Sequence, residues 1–350
     1  MGEILGLGLS HNPCFMRVDA EMEFVSGVLA RPNTPADMKD TAHWPAPMRE
    51  EWGSDASLTS AAKHRAQFAG NVRKLRAELD AFQPDFLVVF GDDQYENFRE
   101  DLIPAFCVFA YDDLEVQPLG SRGRTESARA NHWGEPADKT FTIRGKREAA
   151  KYLARGLLKE KIDVAYSYQP LHYNLGHAFH RVPLYLDYDR DKGFDYPLIP
   201  LAVNCYGSQV IARRGGAGQG AEVELDPPSP TPERCMEVGA AVARVLTKSP
   251  WQAAVVASSS WSHAFLTPKY RGLHPDVESD RRLFEIFRTA DYGALHRMTL
   301  EDLEQAGQQE TLNWFCLAGA MEELGRKPDH IDFSESYVFN SSKCAVTYRP

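Results

Sequence analysis

Four short segments of this chain carry residues able to hold a metal ion and move protons: Ser10-His11-Asn12-Pro13, Leu175-Gly176-His177-Ala178-Phe179, Ser260-Trp261-Ser262-His263 and Glu310-Thr311-Leu312-Asn313-Trp314. Each puts a histidine or a glutamate at the end of an expected strand or near an expected helix, where side chains from distant parts of a chain converge. Two neutral imidazoles and one carboxylate on one face of a divalent metal leave its other positions open for substrate. Taken singly, His11 reads as an ordinary turn histidine and Glu310 as a first-turn glutamate favoured by a helix dipole. Their weight lies in recurrence at matching places. His177 and His263 stand among polar and small residues, a setting suited to proton transfer near neutral pH.

Apolar runs and periodicity predict the elements that position these residues. Residues 3–9 read as a strand leading to His11, and 61–82 as a helix with Phe68, Val72, Leu75 and Leu79 at helical spacing. The near-continuous apolar run 86–90 implies a strand buried on both faces, ending at Gly91-Asp92-Asp93-Gln94, where open α/β sheets keep their sites. Further strands are expected at 105–111, 164–168, 197–204 and 253–258, and helices at 147–159, 233–246, 281–289 and 312–324. The last shows a core-facing stripe of Trp314, Leu317, Ala318, Met321 and Leu324. This alternation predicts an α/β fold: a single compact domain over 1–350 with a mixed, largely buried β-sheet flanked by helices. Loop insertions are expected near 31–57, with Trp44 and Trp52 making it a lid candidate, near 120–139, and near 213–232, whose glycine-rich run suggests flexibility.

The 350 residues, 43% hydrophobic and 25% charged, suffice for a sizeable core. A formal net charge of −10 without any basic run argues against nucleic acid or an anionic membrane as partner, leaving small-molecule chemistry as the default. The six cysteines form no CxxC pair, so neither a zinc knuckle nor a disulfide framework is expected, and a reducing cytoplasm fits best. The N-terminal residues lack the basic flank and apolar length of a signal peptide, and no apolar stretch approaches membrane-spanning length.

In order along the chain, the motifs resemble those of the class III extradiol ring-cleavage dioxygenases, of the protocatechuate 4,5-dioxygenase β-chain and 2,3-dihydroxyphenylpropionate 1,2-dioxygenase type. The resemblance runs through Leu9-Ser10-His11-Asn12-Pro13, Phe98 with Asp101-Leu102-Ile103-Pro104-Ala105-Phe106, His177-Ala178-Phe179, Pro200-Leu201-Ala202-Val203-Asn204, Ser262-His263, and Glu310 with Trp314. It implies a non-haem Fe(II) cofactor and the opening of a catechol-like or 2-aminophenol-like ring with both atoms of O2. His11 and Glu310 would then be metal ligands, and His177 and His263 the pair that handles protons. A homo-oligomer is also implied.

One departure matters. The family sets its second histidine ligand directly after an aspartate in the loop following the second strand, whereas this chain reads Gly91-Asp92-Asp93-Gln94. Gln94 therefore stands in the ligand's place. Candidates for the missing ligand are Gln94 through its amide oxygen, His64 near the start of the first long helix, and His43 in His43-Trp44-Pro45. Asp92 and Asp93 are placed to orient a ligand from behind. His43, Tyr95, His172, Tyr173 and Trp261 are candidates to line a flat aromatic substrate. Alternatives are a divergent metal-dependent C–C bond-cleaving enzyme on the same fold, a non-catalytic homologous subunit, or a module that binds a small aromatic without turnover.

Overall fold

Strand β1 (Ile4–Leu9) sends Leu5, Leu7 and Leu9 into one apolar layer and Ile4 into another, so it is covered on both faces. The computed structural model describes residues 2–120, 130–208 and 224–350, and in it the same pattern governs the sheet centre. In β2 (Phe86–Asp92), Phe86, Val88 and Phe90 face the layer of Ile4, and Leu87 and Val89 that of Leu5, Leu7 and Leu9. The remaining strands are β3 (Phe106–Phe109), β4 (Leu114–Val116), β5 (Phe141–Ile143), β6 (Ala165–Ser167), β7 (Leu198–Val203), β8 (Ala253–Ser258), β9 (His330–Ser334) and β10 (Lys343–Tyr348). Eight of them form one sheet in the order β6-β3-β7-β2-β8-β1-β10-β9, while β4 and β5 pair as a separate ribbon. The core strands β7, β2, β8 and β1 run parallel, and β3, β10 and β9 join antiparallel, so the α/β expectation with a mixed sheet holds.

Eleven α-helices are present among the described residues. Short helices α1 (Val25–Leu29), α2 (Ala36–Lys39) and α3 (Ala46–Trp52) lead into the long α4 (Leu58–Phe82), followed by α5 (Arg147–Lys159) and α6 (His177–Leu186). Then come α7 (Pro232–Thr247), α8 (Val277–Thr289), α9 (Tyr292–Arg297), α10 (Leu300–Gln305) and α11 (Leu312–Glu323). Helices α4 and α6 cover one face of the sheet, and α5, α7, α8 and α11 the other.

Helix α11 departs from the sequence expectation. Every residue from Leu312 to Met321 is buried, so no stripe exists. The helix lies between the sheet and α7, and two glycines permit the close approach. A Cβ on Gly239 would stand 1.8 Å from the Cys316 carbonyl oxygen, and one on Gly319 2.0 Å from that of Met236. Segment 31–57 is largely helical, with Trp44 buried and its indole N–H donating to the Met38 carbonyl at 2.7 Å. Most of the glycine-rich run expected near 213–232 lies outside the described residues.

Candidate functional site

Register brings the site together. Leu9 pairs with Ser258, and Ser258 with Gly91, so the ends of β1, β8 and β2 lie side by side with His11 and Asp92 just beyond. This is the carboxyl edge of the parallel strands. Glu310 arrives from the 3-10 turn Gln309–Thr311 that leads into α11, and His177 from the first residue of α6. Ligand atoms of His11, Asp92, His177 and Glu310 all lie within 4.8 Å of one another, and all four residues are buried.

Hydrogen bonding fixes which nitrogen each imidazole turns inward. The Ser258 hydroxyl donates its single proton to the Ala178 carbonyl at 2.6 Å, so at 3.1 Å from His11 Nδ1 it accepts. That leaves the lone pair of His11 on Nε2, which stands 3.3 Å from Glu310 Oε2 and 3.9 Å from Asp92 Oδ1. His177 repeats the pattern: Nδ1 lies 2.9 Å from Glu96 Oε2, the same carboxylate accepts the His177 backbone N–H, and Nε2 is 3.6 Å from Asp92 Oδ2. A carboxylate or hydroxyl behind an imidazole is how metal-binding histidines are held.

Asp92 decides whether a cation fits. It is fully buried, and neither carboxylate oxygen has a hydrogen-bond partner among the described residues. Burial first, then the neighbouring Glu310 and Glu96, push its carboxyl well above the usual range. An ion at the centre of the group would relieve that cost, and two imidazoles with two carboxylates suit a divalent metal.

Glu310 is held from several sides. The Ser260 backbone N–H donates to Oε2 at 3.0 Å, the Tyr206 hydroxyl donates to Oε1, and His263 Nε2 lies 3.2 Å from Oε1. His263 sits next to the four-residue group rather than in it. Burial, reinforced by His11, drives its pKa down to about 3, so the ring is neutral. Asp93 accepts backbone N–H groups from Glu96, Asn97 and Phe98, shaping the turn after β2, and burial raises its pKa to about 7.

Other sequence candidates lie elsewhere. His64 is not brought to the group: its Nε2 is 2.8 Å from Glu51 Oε1 and its Nδ1 3.0 Å from Ser334 Oγ, on the α4 side of the sheet. His43 is exposed, 3.4 Å from Asp40. Gln94 lies in the half-exposed turn beyond β2, and it is Asp92 that supplies the β2 member of the group. Trp261 is a core residue, fully buried against Trp314, Phe287 and Phe333, which corrects its assignment as a substrate wall. Tyr95 bonds Glu100 at 2.6 Å, His172 bonds Asp101 at 2.8 Å, and His172 and Tyr173 line a separate surface cleft. Sequence reasoning missed Glu96 and Tyr206. Neither stands in a motif by itself, though Glu96 follows Asp92-Asp93 closely.

Residues 223–346, which include His263 and Glu310, match the model of a family described as the catalytic LigB subunit of aromatic ring-opening dioxygenase. The resemblance to class III extradiol dioxygenases stands. A 2,3-dihydroxyphenylpropionate/2,3-dihydroxicinnamic acid 1,2-dioxygenase of Pseudomonas putida is 28% identical over 173 residues, 49% of this chain and 41% of that protein. The enzyme of that name from Photorhabdus laumondii is 25% identical over 206 residues, 59% of this chain and 51% of the relative. One from Rhodococcus jostii is 34% identical over 103 residues, 29% and 27% of the two chains. This chain thus covers about half the length of the first two relatives or less. Among the described residues, no helix is long and apolar enough to cross a membrane.

Proposed function

We propose that this chain is a non-haem Fe(II)-dependent extradiol dioxygenase that opens the ring of a catechol-like or 2-aminophenol-like aromatic and incorporates both atoms of O2. The observation that carries the reading is the buried, hydrogen-bond-free carboxylate of Asp92 facing the Nε2 atoms of His11 and His177, with Glu310 completing the group. His11, His177, Asp92 and Glu310 would hold the metal. When bound, iron supplies the site where a chelating substrate and O2 are brought together.

The chain's own residues divide the remaining work. Ser258 and Glu96 orient the two imidazoles, while Ser260 and Tyr206 orient Glu310. His263, beside the group at 3.2 Å from Glu310 Oε1, is the imidazole proposed to take the substrate hydroxyl proton and return it to the opening ring. Burial of the whole group keeps bulk water away from the reacting atoms. The substrate, the domain assignment over 1–350 and assembly as a homo-oligomer belong to the same proposal.

The test is anaerobic loading with Fe(II), followed by O2 uptake and absorbance scanning with catechol, protocatechuate, 2-aminophenol and 3-alkylcatechols, on wild type beside His11→Ala and Glu310→Gln. One O2 consumed per substrate, with a yellow ring-opened product absent in both variants, is the expected result. Absence of uptake across the panel with iron retained would sink the dioxygenase reading. A second reading is favoured by the two carboxylates in the group, since carboxylate-rich sites also suit Mn(II) and Mg(II). A divergent metal-dependent C–C bond-cleaving reaction would then show as O2-independent substrate loss with one of those ions.

A further inference from the structure

Beside α6, away from the buried group, a cleft of about 370 Å³ opens between that helix, β5 and the loop that follows α6. Its apolar walls are Phe141, Pro183, Leu184 and Phe194, and its cations are Lys139 and Arg190. Such walls suit the faces of a flat ring.

Arg190 makes this cleft more than a surface dent. Its guanidinium carbon lies 3.9 Å over the Trp133 ring and 5.6 Å over the Phe141 ring, which fixes the plane of the fork. Nη1 donates to the carbonyls of Leu184 and Asp187, and Nε lies 3.6 Å from Glu135 Oε1. Nη2 is buried and has no hydrogen-bond partner among the described residues. Glu135 is shared, because Lys139 Nζ also bonds it, at 2.5 Å. Glu135 and Asp187 balance the two cations in number, so what the wall leaves open is the Nη2 donor of Arg190 rather than net charge. Arg190 is also held at φ +59°, a conformation disfavoured for a side chain of its size.

We infer that this cleft is a binding site for an aryl carboxylate, with the ring between the apolar walls and the carboxylate against the Arg190–Lys139 edge. A planar carboxylate matches the guanidinium fork. A dianionic phosphate is less suited, since the Asp187 carboxyl also lines the cleft. Helix α6 begins at His177 in the buried group and passes His180, Pro183 and Leu184 along the cleft, so one rigid element borders both. The assignment does not depend on whether the buried group opens rings.

Calorimetric titration of the full chain with benzoate, and in parallel with benzyl alcohol, tests it. Saturable benzoate binding, at least tenfold tighter than benzyl alcohol, is expected. Arg190→Gln and Thr140→Trp, the latter placing a bulky side chain at the cleft mouth without touching the core, should each weaken benzoate at least tenfold. Glu310→Gln should leave it within twofold. Melting temperatures of all variants identify any that fail to fold, and Thr140→Trp keeps the test intact if Arg190→Gln does. Benzoate binding that is absent in wild type, equalled by benzyl alcohol, or lost only with Glu310→Gln would overturn the assignment. On the iron-loaded chain, catechol that leaves benzoate affinity unchanged marks a separate effector site. Mutual exclusion instead shows that the cleft runs on into the space the ring substrate fills, and that the bound carboxylate belongs to that substrate's site.

Discussion

A buried carboxylate without a donor costs several kcal/mol in an empty site and becomes an asset once a cation faces it. Asp92 should therefore act in opposite directions in the two forms of this protein. Asp92→Asn is expected to raise the melting temperature of the metal-free chain and to weaken Fe(II) or Mn(II) binding by roughly tenfold or more, measured by scanning and titration calorimetry. Unchanged metal affinity would remove Asp92 from the ligand set. Glu96→Gln tests the layer behind: an amide can turn its NH2 toward Nδ1 and free His177 to adopt the other tautomer, so metal affinity should fall about ten- to hundredfold. If Glu96→Gln binds metal as wild type does, the His177 orientation is not set by Glu96. At this scale His11 and Glu310 were legible in the sequence because each closes a recognisable strand or opens a helix. Asp92 was legible only as a residue behind a ligand, since an aspartate at a strand end usually meets solvent, and the register of β2 against β8 turns it inward. His64 misled for the converse reason: position along a helix gives no sheet face, and α4 carries it to Glu51 and Ser334.

Elements place these residues, and the tightest contact among them is α7 on α11. Gly239 and Gly319 face each other's helix backbones at distances that exclude any Cβ, so Gly239→Ala should force the helices apart and cost about 1–3 kcal/mol. A fall of several degrees in melting temperature is expected, along with weaker metal binding, because Glu310 enters α11 through its first turn. Full retention of stability would show that the packing relaxes more easily than the geometry implies. Strands β1, β2, β7 and β8 were readable because runs buried on both faces are nearly continuous in apolar residues. Helix α6 was not. It carries Pro183 in its interior and is buried on every side, so neither helical propensity nor an apolar stripe announces it. Edge strand β9, His330-Ile331-Asp332-Phe333-Ser334, has two apolar residues and becomes a strand only by pairing with β10.

For the molecule as a whole, several buried carboxyls tie stability to pH. Burial raises Asp280 to about 7, although it accepts from the Ser262 N–H and Gln308 Nε2, and burial likewise raises Asp93 to about 7. Between about pH 4 and 7 the folded chain keeps protons that the unfolded chain has released, so stability falls as pH rises through that window. Each such carboxyl contributes about 1.4 kcal/mol of that fall for every step of one in pH. Metal binding runs the other way, because Asp92 and Glu310 must be ionised and the imidazoles neutral to accept the ion. Thermal unfolding at pH 5.5 and 7.5 should thus show the metal-free chain losing stability with pH and the Fe(II)-loaded chain, kept anaerobic, holding or gaining it. The gap between them at pH 7.5 should be about 2.7 kcal/mol at a free metal concentration a hundredfold above Kd, and chelation should abolish it. Asp280→Asn should flatten the metal-free slope without narrowing that gap, since Asp280 touches none of the four residues proposed to hold the ion. Metal-free protein that gains stability toward pH 7.5 would mean that the histidines held neutral by burial, His263 foremost with His64 and His274, outweigh these carboxyls in that window.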